Sequence, residues 1–277
     1  MKPVRKRPGE TGFIKGVIAG LVIAADIFAF VWLYPLLQSH AVMGVYSALQ
    51  MEGSVMREYN ISVDIPREDG WYQQMLVFNA DGFAGWSGID ADMTVLYSFG
   101  AFDLARRTSS LYDPDSDKYS AFYGAYVVGK DGGAFGFDEG GKLDVNEVTA
   151  AVEYDYTRLV MANFGCEDTE FKVRDMTTLE NAVCAGGGGW TRIDAELRVN
   201  GTAHTFRGDK LAYLQYGKPM RTVKTDFAEI DMAGRVYAKY FPSSGCTVMM
   251  YCIAPDAETV DACDADALQR SVIAALD

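Results

Sequence analysis

The sequence predicts an α+β fold: one N-terminal transmembrane helix, then a mainly antiparallel β-sheet ectodomain with a few packed helices. Three observations in its 277 residues carry that prediction. Residues 17–37 are an apolar run behind a basic start. From residue 61 onward, apolar residues alternate with period two in many short segments bounded by Gly, Asp, Asn or Pro. Only two later segments switch to helical spacing.

The apolar run from Val17 to Leu37 contains one charge, Asp26, and one proline, Pro35. As a helix it is roughly 31 Å long, the hydrocarbon thickness of a bilayer. A cleavable signal has a shorter apolar region of roughly 7–15 residues. The small residues of Ser39-His40-Ala41 are the one feature that favours cleavage. The length favours a retained signal-anchor. Asp26 costs about 2.5–3.5 kcal/mol at a helix centre, and each Val, Ile, Leu or Phe returns about 0.3–0.6 kcal/mol, so the run still inserts. Asp26 is expected either to meet a partner helix or to sit protonated or hydrated in place. Gly16, Gly20 and Ala24 form a small-xxx-small row that admits a close second helix.

Orientation follows from charge. Residues 1–16 carry five Lys/Arg against Glu10, the whole chain is −13, and with Asp26 removed the part after Leu37 is −16. Basic flanks stay in the cytoplasm. The expected organisation is a cytoplasmic tail at 1–16, the anchor at 17–37, a helical stalk at 38–58 and one extracytoplasmic domain at 59–277. The stalk rests on Val42, Val45, Leu49 and Met56 at near-helical spacing. At 49% hydrophobic and 13% aromatic residues the domain is too apolar for disorder. So acidic a domain will not hold nucleic acid.

Among the expected strands, "CTVMMYCIA" (246–254) is apolar at both parities and predicts a central strand covered on both sides. Hairpin turns are expected at Lys130–Gly133 and at Asn200-Gly201. The second would set Val199 opposite Thr202, Leu197 opposite His204 and Ala195 opposite Phe206. A helix is expected from Asp144, with Glu147 completing a capping box, to Gly165. A second runs from Asp256 to the last residues with Val260, Cys263, Leu268 and Val272 inward, its Asp264–Asp266 run a place to split.

Disulfides persist outside the membrane. Of the five cysteines, Cys166 with Cys184 and Cys252 with Cys263 are the expected pairs, against a reading of buried small apolar residues. No zinc or redox spacing occurs. Chemistry has few places to reside. His40 abuts the apolar run, and His204 falls among hairpin residues. "GWSGID" (85–90) is only half of a serine-hydrolase elbow, which makes a Ser87–His204–Asp triad remote. Asp113, Asp115 and Asp117 alternate like the start of a calcium loop, yet Lys118 and Gly124 stand where such a loop needs glycine and glutamate. The competing reading is Asx turns. Asn79, Asp81, Asp90 and Asp92 offer a second oxygen-rich loop. Trp71, Trp86 and Trp190 lie in or near Gly/Asp loops and suggest a binding rim, or caps on the core. "CAGGGGW" (184–190) reads as a flexible loop before a strand.

The stretch "GETGFIKGVIAGLVIAADIF" resembles a type IV pilin start: a basic leader, Gly12, then Phe13 opening an apolar helix that feeds an α+β head. It departs where that family places glutamate, since Val17 stands there and Lys15 charges the helix. Three functional expectations result. The first is a single-pass envelope protein whose outer domain binds or assembles with another envelope protein. The second is an extracytoplasmic hydrolase using carboxylates from 79–92 and 113–117. The third is a pilin-like surface subunit.

Overall fold

The structure, a computed structural model, describes residues 8–29, 44–66, 72–103, 108–110, 113, 115–162, 169–200, 205–206, 210–211, 214–215, 218–219 and 228–276. Its strands are β1 (Ile61–Asp64), β2 (Tyr72–Asn79), β3 (Ala91–Asp103), β4 (Thr108–Ser109), β5 (Phe122–Lys130), β6 (Phe171–Cys184), β7 (Gly187–Asn200), β8 (Thr205–Phe206), β9 (Lys210–Leu211), β10 (Leu214–Gln215), β11 (Lys218–Pro219), β12 (Glu229–Phe241), β13 (Cys246–Ala254) and β14 (Val272–Ala275). Eight of them make one antiparallel sheet in the order β2, β3, β5, β13, β12, β7, β6, with β4 paired to β3. The helices are α1 (Pro8–Phe28), α2 (Gly44–Glu52), α3 (Val55–Glu58), α4 (Phe83–Ser87), α5 (Val145–Tyr154) and α6 (Ala257–Cys263). The last two continue as π-helical turns, Asp155–Met161 and Asp264–Leu268.

The sheet is the middle of three layers, as its composition demands. Every residue of β13 is buried, and β5 is buried from Phe122 to Gly129, so the expected central strand is observed with a second one beside it. One face carries Val95, Tyr126, Met249 and Ile253 under α4 and α5. The other carries Leu96, Val127, Met250 and Cys252 under α3, α6 and the antiparallel β1–β14 pair. Gly124 on β5 lies opposite Tyr97 and Tyr251. A Cβ there would meet the Leu96 carbonyl oxygen at 1.8 Å, so only glycine lets these strands approach.

The two edges of the sheet differ. At β2, α2 seals the ladder with its own side chains. Val77 N–H donates to Ser47 Oγ at 2.8 Å, Asn79 N–H donates to Gln50 Oε1 at 3.0 Å, and Asn79 Nδ2 donates to the Gln50 carbonyl at 2.8 Å. At the other edge, no described strand pairs with the outer side of β6.

Several expectations are corrected. Of the expected helical stalk at 38–58, the described part is helical but in two short pieces packed on the domain, broken at Gly53-Ser54, where Ser54 accepts the Arg57 N–H and Val55 and Met56 are buried. Lys130–Gly133 does not turn a hairpin; Phe137 only bridges Leu143 across a local loop. The Asn200-Gly201 register is replaced because both sides of β7 are taken by longer strands. Ala195 lies opposite Met176 and Gly234, Leu197 opposite Val173 and Met232, and Val199 opposite Phe171 and Ile230, while Phe206 pairs with Lys210. Residues 201–204, including His204, lie outside the described residues. The capping box is half formed: Asp144 accepts the Asn146 and Glu147 N–H groups, but Glu147 turns to Lys130 and to Gly136 N–H. The final helix stops at Leu268. Residues 272–275 pair with β1, leaving Val272 exposed, because a short β-branched run satisfies its backbone better in a ladder.

The N-terminal run is helical in α1 as far as Phe28; residues 30–43 lie outside the described ones. Among the described residues no helix is long and apolar enough to cross a membrane.

Candidate functional site

A cleft of about 890 Å³ opens between the loop after β5 and the tip of the β6–β7 hairpin. Its walls are set locally. In the loop, the Gly140 and Lys142 N–H groups both donate to Asp138 Oδ1 at 2.9 Å, and Asp138 N–H donates to the Lys142 carbonyl at 2.9 Å. Thr247 Oγ1 pins the loop to the sheet by donating to the Phe135 carbonyl at 2.8 Å. The opposite wall is Glu180, Asn181, Gly189 and Thr191 of the β6–β7 hairpin, which closes in a two-residue turn, Cys184 facing Gly187, with Ala185 (φ 48°) and Gly186 (φ 68°) both left-handed. The glycine-rich stretch read as a flexible loop is thus a hairpin turn and the start of β7. Lys239 ties the turn to the neighbouring strand through the Gly188 carbonyl at 2.6 Å, its ammonium 5.8 Å from the Trp190 ring centroid and 5.4 Å from that of Phe241.

The cleft presents Asp138, Glu139 and Glu180 against Lys142 and Lys239, with Asn181, Thr191 and Tyr240 between them. Such mixed, closely spaced charge suits a peptide backbone with charged side chains. The outer edge of β6 runs up to this cleft and ends in exposed Leu179 and Val183. From Asp175 to Leu179 the pairing with β7 is regular; it shifts between Val173 and Asp175 and again after Leu179. Met176 N–H turns from β7 to Asp175 Oδ1 at 2.8 Å, which places alternate backbone groups of that stretch outward.

A second constellation is buried. Asp155, 2% exposed, opens the π-helical turn. Its Oδ1 accepts the Tyr97 hydroxyl and its Oδ2 accepts that of Tyr126 at 2.8 Å. Tyr126 stacks on Tyr251 with centroids 4.2 Å apart. Burial pushes the Asp155 carboxyl up to about 6 against the pull of these hydroxyls, and burial with the nearby carboxylate raises all three phenols. One carboxyl in a closed core has nothing to act on, so this cluster fixes the helix to the sheet.

A third group lies on the opposite face. Arg235 reaches Asp194 at 2.6 Å, Asp261 at 2.9 Å and Asp264 at 2.7 Å; Tyr237 donates to Asp264 at 2.7 Å and Gln269 to the same carboxylate at 2.9 Å. It clamps α6 and its π-helical extension to β12 and β7.

The residues singled out in the sequence fall as follows. Asp26, Gly16 and Gly20 are exposed on α1, and a Cβ on either glycine would meet nothing within 4 Å. Asp115 and Asp117 are exposed and Asp113 half-buried; Asp115 N–H donates to Asp113 Oδ1 at 3.1 Å, an Asx turn. Lys118, beside them, is buried and pairs with Asp266 at 3.0 Å. Among the described residues no three His, Cys, Asp or Glu side chains are placed to hold a metal ion. Asn79 is occupied in sealing the β2 edge, and Asp81, Asp90 and Asp92 are exposed. Ser87 Oγ accepts the Ile89 N–H. Trp71 and Cys166 lie outside the described residues. Trp86 packs on Tyr154 on one face of the sheet, while Trp190 is buried on the other, so the two do not share a rim. Cys184, Cys252 and Cys263 are buried free thiols, with Cys252 and Cys263 hydrogen-bonding neighbours and burial raising Cys184 to about 12. Sequence reasoning missed the cleft and the Asp155 cluster. Comparison with protein-family models, with curated proteins and with solved structures finds no match to this chain.

Proposed function

We propose that this chain is a single-pass, N-in/C-out membrane-anchored protein whose extracytoplasmic domain binds or assembles with another envelope protein along the outer edge of β6 and the adjoining cleft. The observation that carries the reading is the asymmetry of the sheet. One edge is sealed by α2 through three hydrogen bonds, and at the opposite edge no described strand pairs with the outer side of the 14-residue β6, beside a polar cleft. Its register shifts and its Lys172, Arg174 and Asp175 guard it against indiscriminate pairing, and the regular stretch Asp175–Leu179 is left for a specific strand. The anchor is supported by α1, whose Val17, Ile18, Leu21, Val22, Ile23, Ile27 and Phe28 are 46–65% exposed. So many exposed apolar side chains on one helix need an apolar surrounding. The apolar sequence continues to Leu37.

The test is Thr178→Pro in the full chain, purified in mild detergent from its own cells. Proline removes an outward N–H and blocks strand addition, yet an edge strand accommodates it. The expected result is loss of the co-purifying partner with the melting temperature changed by only a few degrees. A partner retained in full on the folded variant overturns the β6 assignment.

A further inference from the structure

We infer that the outward face of α2 rests on the membrane surface, so that the domain lies against the bilayer through a second, non-covalent contact beyond the anchor. This rests on the proposed anchoring of residues 17–37. The helix divides cleanly. Tyr46, Ser47, Gln50 and Met51 are half-buried toward the domain, where Tyr46 lies 6.1 Å from Phe78 and Ser47 and Gln50 bond β2. Gly44, Val45, Ala48, Leu49 and, at the far end, Glu52 face outward, and Val45 and Leu49 are each 62% exposed. No charge occurs in α2 before Glu52, its last residue.

Chain length and area decide what covers this face. Gly44 stands seven residues after Leu37, and seven residues reach at most about 25 Å when fully extended. The headgroup region beyond the hydrocarbon core fills roughly 5–8 Å of that. The apolar face is therefore held within a short reach of lipid, its first turn nearest. A second copy of the chain is a poor occupant, since two exposed side chains fall far short of the roughly 800 Å² per partner that a stable interface buries. The headgroup boundary asks for no such area once a membrane helix already holds the domain there. The contact is apolar rather than ionic, because the domain beyond Leu37 carries −16. It belongs on zwitterionic lipid and persists in high salt.

The test uses the full chain in phosphatidylcholine vesicles, with an environment-sensitive fluorophore on Ala48→Cys and, for comparison, on Asp90→Cys. Brominated acyl chains are expected to quench the probe at 48 at least threefold more than the probe at 90, with aqueous iodide giving the reverse order, unchanged at 1 M salt. Adding Val45→Asp and Leu49→Asp is expected to equalise the two sites while the vesicles still retain the protein. Protein that floats with vesicles after alkaline washing, yet shows equal iodide quenching at 48 and 90, overturns the docking and leaves the anchor standing. Protein washed off the vesicles overturns the anchor, and the docking with it.

Discussion

Asp155 shows how one side chain ties fold to pH. Its folded carboxyl titrates near 6, raised from 3.8 by burial, with Tyr97 and Tyr126 holding the charged form only in part. The folded state therefore binds this proton more tightly than the unfolded chain does. The stability that follows is fully present below about pH 3.8 and is lost as pH rises through about 6. On that difference ionised Asp155 costs on the order of 3 kcal/mol at neutral pH. Asp155→Asn removes the titration and keeps an acceptor for one hydroxyl. The difference in urea-unfolding free energy between the two proteins should change by up to that amount between pH 3 and 7, half of it by about pH 5, midway between the unfolded and folded titrations; a flat difference would show the carboxyl to be ordinary. Gly124 makes a steric case at the same scale. Gly124→Ala puts a methyl 1.8 Å from the Leu96 carbonyl oxygen at the junction of the two halves of the sheet. It should cost roughly 3 kcal/mol, read from the urea midpoint at constant slope.

At the scale of elements, the Arg235 clamp holds α6 and its extension to the sheet, with the guanidinium side chain only 12% exposed. Arg235→Met leaves the buried Asp264 without its cation, while Asp194 keeps Arg192 at 2.7 Å, and should cost about 3 kcal/mol. Amide exchange should rise in 257–275 before it rises in β3 or β5; uniform acceleration would mean that the clamp does not divide the fold this way. Elements with a local cause were legible in the sequence. β13 was readable because both parities are apolar, and the start of α5 because Asp144 precedes the helical stripe. Long-range elements were not. β14 pairs with β1 more than 200 residues earlier, as the 212-residue separation of Ser62 and Ala274 shows, and its apolar run reads equally as helix. The β6–β7 turn hid within four glycines that offer several equivalent turns, and it uses Ala185 at positive φ. The cleft joins residues 133–143, 180–191 and 239–240, which no local pattern connects. Asp155 did leave a signal, lying three residues after Val152 and seven after Val148 on the buried stripe; an aspartate there asks for a buried partner.

For the whole molecule the governing quantity is where positive charge lies relative to the apolar run. Before Val17 there are five Lys/Arg, and after Leu37 the next basic residue is Arg57. Orientation is set by basic residues within roughly 15–20 positions of the span, and acidic ones contribute little. In the proposed topology the acidity of the domain therefore contributes little, and the five basic residues would hold the orientation alone. Replacing Lys2, Arg5, Lys6 and Arg7 with glutamine leaves only Lys15. That variant should insert in both orientations, so that protease added to intact cells digests the domain completely in the parent protein and leaves a substantial protected fraction in the variant. Asp26→Leu provides the complementary control, because it removes the one charge of the proposed span without touching either flank. It should leave protease access unchanged and weaken co-purification only where a partner helix meets Asp26. A parent domain that resists protease in intact cells and is cut only after lysis would place it on the cytoplasmic side, and the assembly with an envelope partner would fall with the topology.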